Sequence, residues 1–271
     1  MIEFSLLICV YAKENPEHFA QCLDSILAQT VLPNELIIVK DGPLTEELES
    51  VLSSLSFPNE LEIIDLPENL TQGPARAEGV KAAKHGWVAI MDSDDICRAD
   101  RFEKQLGMIE SDCELGLIGG QIAEFKDNPG FSASYRAVPV AHDEIAVFAK
   151  KRNPFNSMTV MLKRDLALQA GNYRYFPWFE DYDLWTRMIK NGAACANHPD
   201  ILVDARVGSG MYKRRRGISY IRSEWRMQKQ LKALRLINSA EFVRNAIMRI
   251  PVRVLPGGVL AAAYGLFARK K

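Results

Sequence analysis

The sequence predicts an α/β fold, with a mainly parallel central sheet flanked by helices and a basic helical extension at the C-terminus. Three observations predict it. Over roughly the first hundred residues, short apolar runs of strand length alternate with segments of helical periodicity, the pattern of βαβ units. Those runs are continuous rather than alternating in polarity, as strands buried on both faces are. A formal charge of zero also divides unevenly: from Arg206 onward there are 16 Lys/Arg against two acids, Glu224 and Glu241.

The elements follow in order. "FSLLICVY" (Phe4–Tyr11) is an apolar run of strand length. A helical pattern runs from Pro16 to about Ala28, with Phe19, Leu23, Ile26 and Leu27 on one side. "ELIIVKDG" (Glu35–Gly42) is a second strand ending in a turn, and "LEIIDL" (Leu61–Leu66) a third. "GPARAEGVKAAKHG" (Gly73–Gly86) opens with Pro and closes with Gly, the asymmetry of a helix. "WVAIMD" (Trp87–Asp92) is a fourth strand. No internal repeat or low-complexity segment is present.

Composition narrows the class. The 271 residues accommodate one large α/β domain plus an appendage, or two modest domains. At 48% hydrophobic and 25% charged, the chain reads as a soluble globular protein. Five scattered cysteines (Cys9, Cys22, Cys97, Cys113, Cys195) show no zinc-site spacing, so they are expected as reduced thiols in the cytosol. No basic leader precedes the first apolar run, which Glu3 interrupts, so a secretory signal is not expected. No GxGxxG follows the first strand and no GxxxxGK[ST] occurs, which argues against a dinucleotide-binding Rossmann enzyme and a P-loop NTPase.

Three constellations carry possible chemistry. "DSDD" (Asp92–Asp95) ends an apolar strand with three acids. Capping of the next helix accounts for one or two of them; three coexist more readily around a divalent cation whose shell substrate phosphates complete. In open parallel sheets ligands bind beyond the carboxyl ends of the strands, where Asp41 also falls. "YFPWFEDYDLW" (Tyr175–Trp185) places Glu180, Asp181 and Asp183 in the first turn of a helix, behind four aromatics. Acids there complement the helix dipole, but aromatic surface beside a carboxylate also suits a stacked sugar next to a general base. "MYKRRRG" (Met211–Gly217) is either a solvated face or a clamp for a diphosphate. His18, His85, His142 and His198 fall in no metal-ligand spacing and are expected to be surface or structural residues.

The stretches "SLLICVYAKENPEHFAQCLDSILAQTVLPNELIIVKDGP", "GPARAEGVKAAKHGWVAIMDSDD" and "FEDYDLW" together resemble family 2 glycosyltransferases of the GT-A fold, in particular bacterial members that build O-antigens, capsules and exopolysaccharides. The resemblance covers about Ser5 to Gly217. It implies an inverting, metal-dependent hexosyl transfer from a nucleotide diphosphate donor, UDP by resemblance, to a saccharide or lipid-diphosphate-linked acceptor. Position by position, Val10 and Tyr11 resemble the wall of the base pocket, Asp41 the acid that bonds the base, and Arg76 a further base contact. Asp92 and Ser93 match positions near the ribose, and Asp94 the acid that holds Mn²⁺ or Mg²⁺. Asp181 resembles the catalytic base, with Glu180 and Trp178 on the acceptor side, and Arg214 and Arg215 on the diphosphate. Many relatives carry a histidine after the base that joins the metal; "MYKRRRG" has none, which leaves either His198 as a substitute or one protein ligand fewer.

Two domains are expected: a nucleotide-sugar transferase domain over 1–217 and a basic, partly apolar helical extension over 218–271. "VLPGGVLAAAYGLFA" (Val254–Ala268) is too short to span a bilayer and is broken by Pro256, Gly257 and Gly258. With Arg244, Arg249, Arg253 and the terminal "RKK" it resembles a segment bound to anionic lipid, which would place the protein on the inner face of the bacterial cytoplasmic membrane. The alternative is a helical bundle packed on the catalytic domain. No nucleic-acid partner is expected, since the basic segment contains no binding motif. Two further functions compete: a nucleotidyltransferase, which would show a Gly-rich basic loop after the first strand, and a non-catalytic nucleotide-sugar or glycan-binding protein, which would need no base.

Overall fold

The computed structural model describes residues 2–126, 134–208 and 217–250. Strands β1 (Phe4–Val10), β2 (Glu35–Lys40), β3 (Glu60–Asp65) and β4 (Trp87–Asp92) alternate with helices α1 (Pro16–Leu27), α2 (Glu46–Ser54) and α3 (Gln72–Ala82). They pair in parallel in the order β3-β2-β1-β4. Strand order therefore reverses between β1 and β4, where Cys9 lies opposite Asp92. Such a switch point opens a crevice beyond the carboxyl ends of its strands.

Past β4 the sheet is mixed. β5 (Ile96–Cys97), α4 (Arg101–Ser111), β6 (Leu115–Phe125), β7 (Ser134–Arg136), α5 (His142–Ala149), β8 (Met161–Lys163), α6 (Arg164–Gln169), α7 (Glu180–Lys190) and β9 (Ala194–Arg206) follow. β8 joins β4 antiparallel and β6 joins β8 antiparallel, while β9 runs parallel to β6 and β5 pairs antiparallel with the end of β9. That last pairing brings the residues just after β4 against Asp204 and Val203.

Alternate residues of each strand enter different cores, as a period of two requires. Phe4, Leu6, Ile8 and Val10 of β1 pack with Phe19, Cys22, Leu23 and Ile26 of α1 and with Phe102 of α4. Leu7 faces the other way, with Ile37, Val39, Ala75 and Val80, in the core that holds Trp185 of α7. Asn15 starts α1 by accepting hydrogen bonds from the amides of Glu17 and His18 at 2.8 and 3.1 Å, with Pro16 in the first turn. α3 lies close on the sheet because its buried residues are small: a Cβ on Gly79 would come within 2.2 Å of Leu7 Cδ1.

The C-terminal helices α8 (Ile218–Ala233) and α9 (Ser239–Arg249) form a hairpin on a third core. Tyr220, Met227, Leu231 and Ile237 meet Phe176, Phe179 and Tyr182 there. Asn238 and Glu241 make a capping box for α9. The extension thus packs on the preceding residues, and one expected lipid contact moves inward: Arg249 forks onto the fully buried carboxylate of Glu224 at 2.5 and 3.0 Å. The outward side of α9 stays apolar, with Val243, Ile247 and Met248 exposed at 53, 68 and 66%. Arg214, Arg215 and the stretch 254–268 lie outside the described residues, among which no helix is long and apolar enough to cross a membrane.

Candidate active site

The expected acids gather at the switch point. Asp41 follows β2, its backbone N–H donating to the Val10 carbonyl at 2.8 Å. Its carboxylate is almost fully covered and accepts from the Leu70 amide at 2.6 Å and Asn69 Nδ2 at 3.0 Å. Burial pushes its carboxyl above the ordinary range, against the pull of the Leu70 and Thr71 amides. Val10 is buried beside it and Tyr11 is half-exposed. The glycine of the "KDG" turn is required: Gly42 has φ +86°, and a Cβ would meet the Asn69 backbone nitrogen at 2.9 Å.

Arg76 is the hub. It enters from α3 with a side chain 2% exposed. One end of its guanidinium donates to Asp92 Oδ1 and the other, at 2.5 Å, to Asp181 Oδ1. A buried charge of this kind is tolerable only when paired and hydrogen-bonded, and the two carboxylates supply that. The ring of Tyr173 lies 5.8 Å from the guanidinium carbon. Arg76 therefore joins the end of β4 to the start of α7, reaching an acid 105 residues further along the chain. Its guanidinium lies between the two acids.

The three acids of "FEDYD" separate into different tasks. Asp183, fully buried, accepts from Arg174 at 2.7 and 2.8 Å and from Arg187 at 2.9 and 3.1 Å, which makes it structural. Asp181 holds Arg76. Glu180 lines a cleft of about 680 Å³ with Tyr175, Trp178 and the amino end of α3. Burial foremost, and then the neighbouring charge of Asp181, push its carboxyl up to about 7. Trp178 lies in the left-handed region at φ +65° and is 43% exposed. A bulky residue in that conformation carries strain that persists at ligand-holding sites. The loop and α3 interlock tightly, since a Cβ on Gly73 would lie 2.5 Å from the Arg174 carbonyl oxygen.

The "DSDD" turn is fixed from β9. The Arg206 amide donates to Asp95 Oδ1 at 2.7 Å, and its guanidinium donates to the Asp94 carbonyl at 3.0 Å and to Gln21 Oε1 at 2.7 Å. Ser93 and Asp95 are buried, whereas Asp94 is partly exposed. Burial first, with Asp94 and Asp181 adding to it and Arg76 opposing, raises the Asp92 carboxyl to about 6. Asp95 is also raised, by burial and then by Asp94 and Asp92. This accumulation of negative charge on hard oxygen donors fits a divalent cation. Among the described residues no group of three His, Cys, Asp or Glu side chains could hold an ion, so ligand oxygens would have to complete the shell.

The one histidine that the sequence offered as a substitute ligand is His198. The charged neighbours that act on His198 are Asp200, Lys104 and Asp100, and none of the Asp92–Asp95 acids is among them. His18, read from sequence as a surface or structural residue, is acted on by Arg206 and Asp94; burial and Arg206 lower its pKa while Asp94 opposes them. Sequence reasoning also passed over Arg206 and Gln72, whose Nε2 donates to Asp92 Oδ1 at 3.3 Å. Only the final fold brings these within reach of the acids.

Residues 5–170 match the family described as Glycosyl transferase family 2. The chain is 37% identical over 261 residues to the amylovoran biosynthesis glycosyltransferase AmsE of Erwinia amylovora, covering 96% of this chain and 97% of that one. It is 35% identical over 254 residues to the UDP-Gal:alpha-D-GlcNAc-diphosphoundecaprenol beta-1,3-galactosyltransferase of Escherichia coli, covering 94 and 92%. Among solved structures, the mannosyltransferase PcManGT from Pyrobaculum calidifontis, in complex with GDP-Man and Mn²⁺, superposes with a TM-score of 0.66 at 16% identity, over 98% of this chain and 76% of that one. That likeness establishes the fold, which is the GT-A type expected from the sequence.

Proposed function

The chain belongs to the family 2 glycosyltransferases, and we propose that it transfers a hexose, with inversion, from a UDP-type donor to a lipid-diphosphate-linked saccharide in the assembly of a bacterial surface polysaccharide. The observation that carries this is the Asp92–Arg76–Asp181 bridge: it ties the metal-type acidic turn to a carboxylate beside a cleft with an exposed tryptophan. The relatives named above support the substrate classes.

Val10, Tyr11 and Asp41 would receive the base, and Asp92 and Ser93 the ribose. Asp94 would hold Mn²⁺ or Mg²⁺, which when bound supplies Lewis-acid stabilisation of charge on the diphosphate. Arg214 and Arg215 are assigned to that diphosphate from the sequence alone. The acceptor sugar rests on Trp178. Asp181, held in place by Arg76, takes the proton of the attacking hydroxyl. The acceptor oxygen forms the new bond to the anomeric carbon, and the bond to phosphate breaks with its electron pair leaving on the nucleoside diphosphate.

A second assignment has its own observation. Glu180 lines the cleft with a carboxyl near 7, the value suited to a base at neutral pH. Nucleotide sugars screened against an N-acetylglucosamine diphosphate lipid test the function, and variants separate the two bases. Asp181→Asn should lower kcat about 10²–10⁴-fold with donor binding retained, and Glu180→Gln much less. The reverse order gives the role to Glu180, and turnover unaffected by both removes the site from the chemistry.

The protein is further proposed to sit peripherally on the inner face of the cytoplasmic membrane. The exposed Val243, Ile247 and Met248 of α9, together with the basic C-terminal segment, support that placement.

A further inference from the structure

Resting on the transferase function just described, we propose that the wall of the cleft opposite Glu180 is a binding site for the diphosphate of the acceptor, held by Arg222 and Arg226. The cleft has two unlike sides. Tyr175, Trp178, Glu180 and Gly73 form one; Ser219, Arg222, Ser223 and Arg226, from the first turns of α8, form the other.

Arg222 and Arg226 are four residues apart on one helix, so they project from the same side. Both are exposed, and neither is paired with a carboxylate among the described residues. The Arg226 guanidinium lies over the Phe176 ring, 4.3 Å from its centroid. Stacking of this kind fixes the plane of the guanidinium and leaves its N–H edges free to donate. The helix end adds to the field: both arginines project from the first turns of a 16-residue helix, whose amino end carries a partial positive charge. Two planar cations and a hydroxyl suit a doubly charged phosphate ester.

None of Asp92, Ser93, Asp94 or Asp95 lines this cleft, so the site is distinct from the end of the sheet proposed for the donor diphosphate. The facing carboxylate and tryptophan would then meet the sugar that the diphosphate carries. The arginine wall thus orients the acceptor by its diphosphate end and presents its hydroxyl to the base.

Calorimetric titration of the full-length protein tests this without turnover. The ligands are a soluble hexyl diphosphate ester of N-acetylglucosamine and the hexyl glycoside that lacks the phosphates. The diphosphate should bind the wild type about a hundredfold more tightly than the glycoside, as two charge-assisted contacts predict. Arg222→Ala and Arg226→Ala should each remove about tenfold of that preference, and the double variant all of it. The variants should bind the glycoside and UDP with Mn²⁺ as the wild type does. Arg222→Lys and Arg226→Lys, which keep the charge and helix propensity, should retain part of the preference.

Equal binding of both ligands by the wild type overturns the proposal, as does unchanged diphosphate binding by the alanine variants. It is also overturned if those variants lose UDP affinity to the same extent, because the arginines would then belong to the donor. No bilayer is present, so a loss confined to phosphatidylglycerol vesicles, with soluble ligand bound normally, counts against an acceptor site. If the binding pattern holds but no sugar is transferred, the anion site stands and the transferase assignment falls.

Discussion

Glu180→Gln should stabilise the protein at alkaline pH although it alters the centre of the site. The folded protein holds the Glu180 carboxyl at about 7, against an ordinary 4.5, through burial and the adjacent Asp181. The native state therefore binds more protons than the unfolded chain between those values, and wild-type stability falls as pH rises through them. Each pH unit of that interval is about 1.4 kcal/mol, so the penalty above pH 7 is at most about 3–4 kcal/mol. Gln keeps the shape and carries no charge. Urea unfolding of both proteins at pH 4.5, 6 and 8 measures the difference. It should be near zero at pH 4.5 and grow to about 1–3 kcal/mol in favour of the variant at pH 8. A difference independent of pH, or a variant less stable than wild type at pH 8, would refute the electrostatic description of the cleft.

Removing the hub should have the opposite sign: Arg76→Met leaves Asp92 and Asp181 facing each other unneutralised and should cost about 3–5 kcal/mol in the same unfolding assay. Asp94→Ala should abolish the response of activity to Mn²⁺ or Mg²⁺ and weaken donor binding, and full wild-type activity in excess EDTA after dialysis would contradict the metal assignment. In liposome flotation the full-length protein should bind phosphatidylglycerol vesicles strongly and neutral lipid weakly, with binding reduced by salt and by truncation after Asn245, because each basic residue near an anionic surface contributes about 1 kcal/mol. Absence of binding at low salt would leave α8 and α9 as packing elements alone.

The parallel part of the sheet was legible because local pattern and tertiary environment agree there. β1, β2 and β4 are continuous apolar runs, and α1 begins on Asn15 and Pro16, residues that favour those positions. Beyond β4 the sequence offered less. β6 is 11 residues long and fully buried, and its partner β9 begins some eighty residues later; no local period marks such a pairing. The candidate site divides the same way. Asp41, Asp92 and Asp181 stood at strand ends or a helix start, where chemistry-bearing acids can be expected. Asp183 looked equivalent to Asp181 until Arg174 and Arg187 closed on it. Arg76 could be singled out but not placed, since both of its partners come from other elements. The basic C-terminal segment was read as charge facing a surface, yet Arg249 is spent on Glu224 inside the hairpin. A charge count cannot tell a buried ion pair from a surface contact.

The most direct measurement is the anomeric configuration of the product. Wild-type protein, Mn²⁺, a UDP-hexose taken from the donor screen and the N-acetylglucosamine diphosphate lipid should give a disaccharide whose new linkage, read by NMR coupling across the anomeric carbon, is inverted relative to the donor. Asp181→Asn under the same conditions should give almost none of it. A product with the donor's configuration retained would contradict single displacement with Asp181 as base.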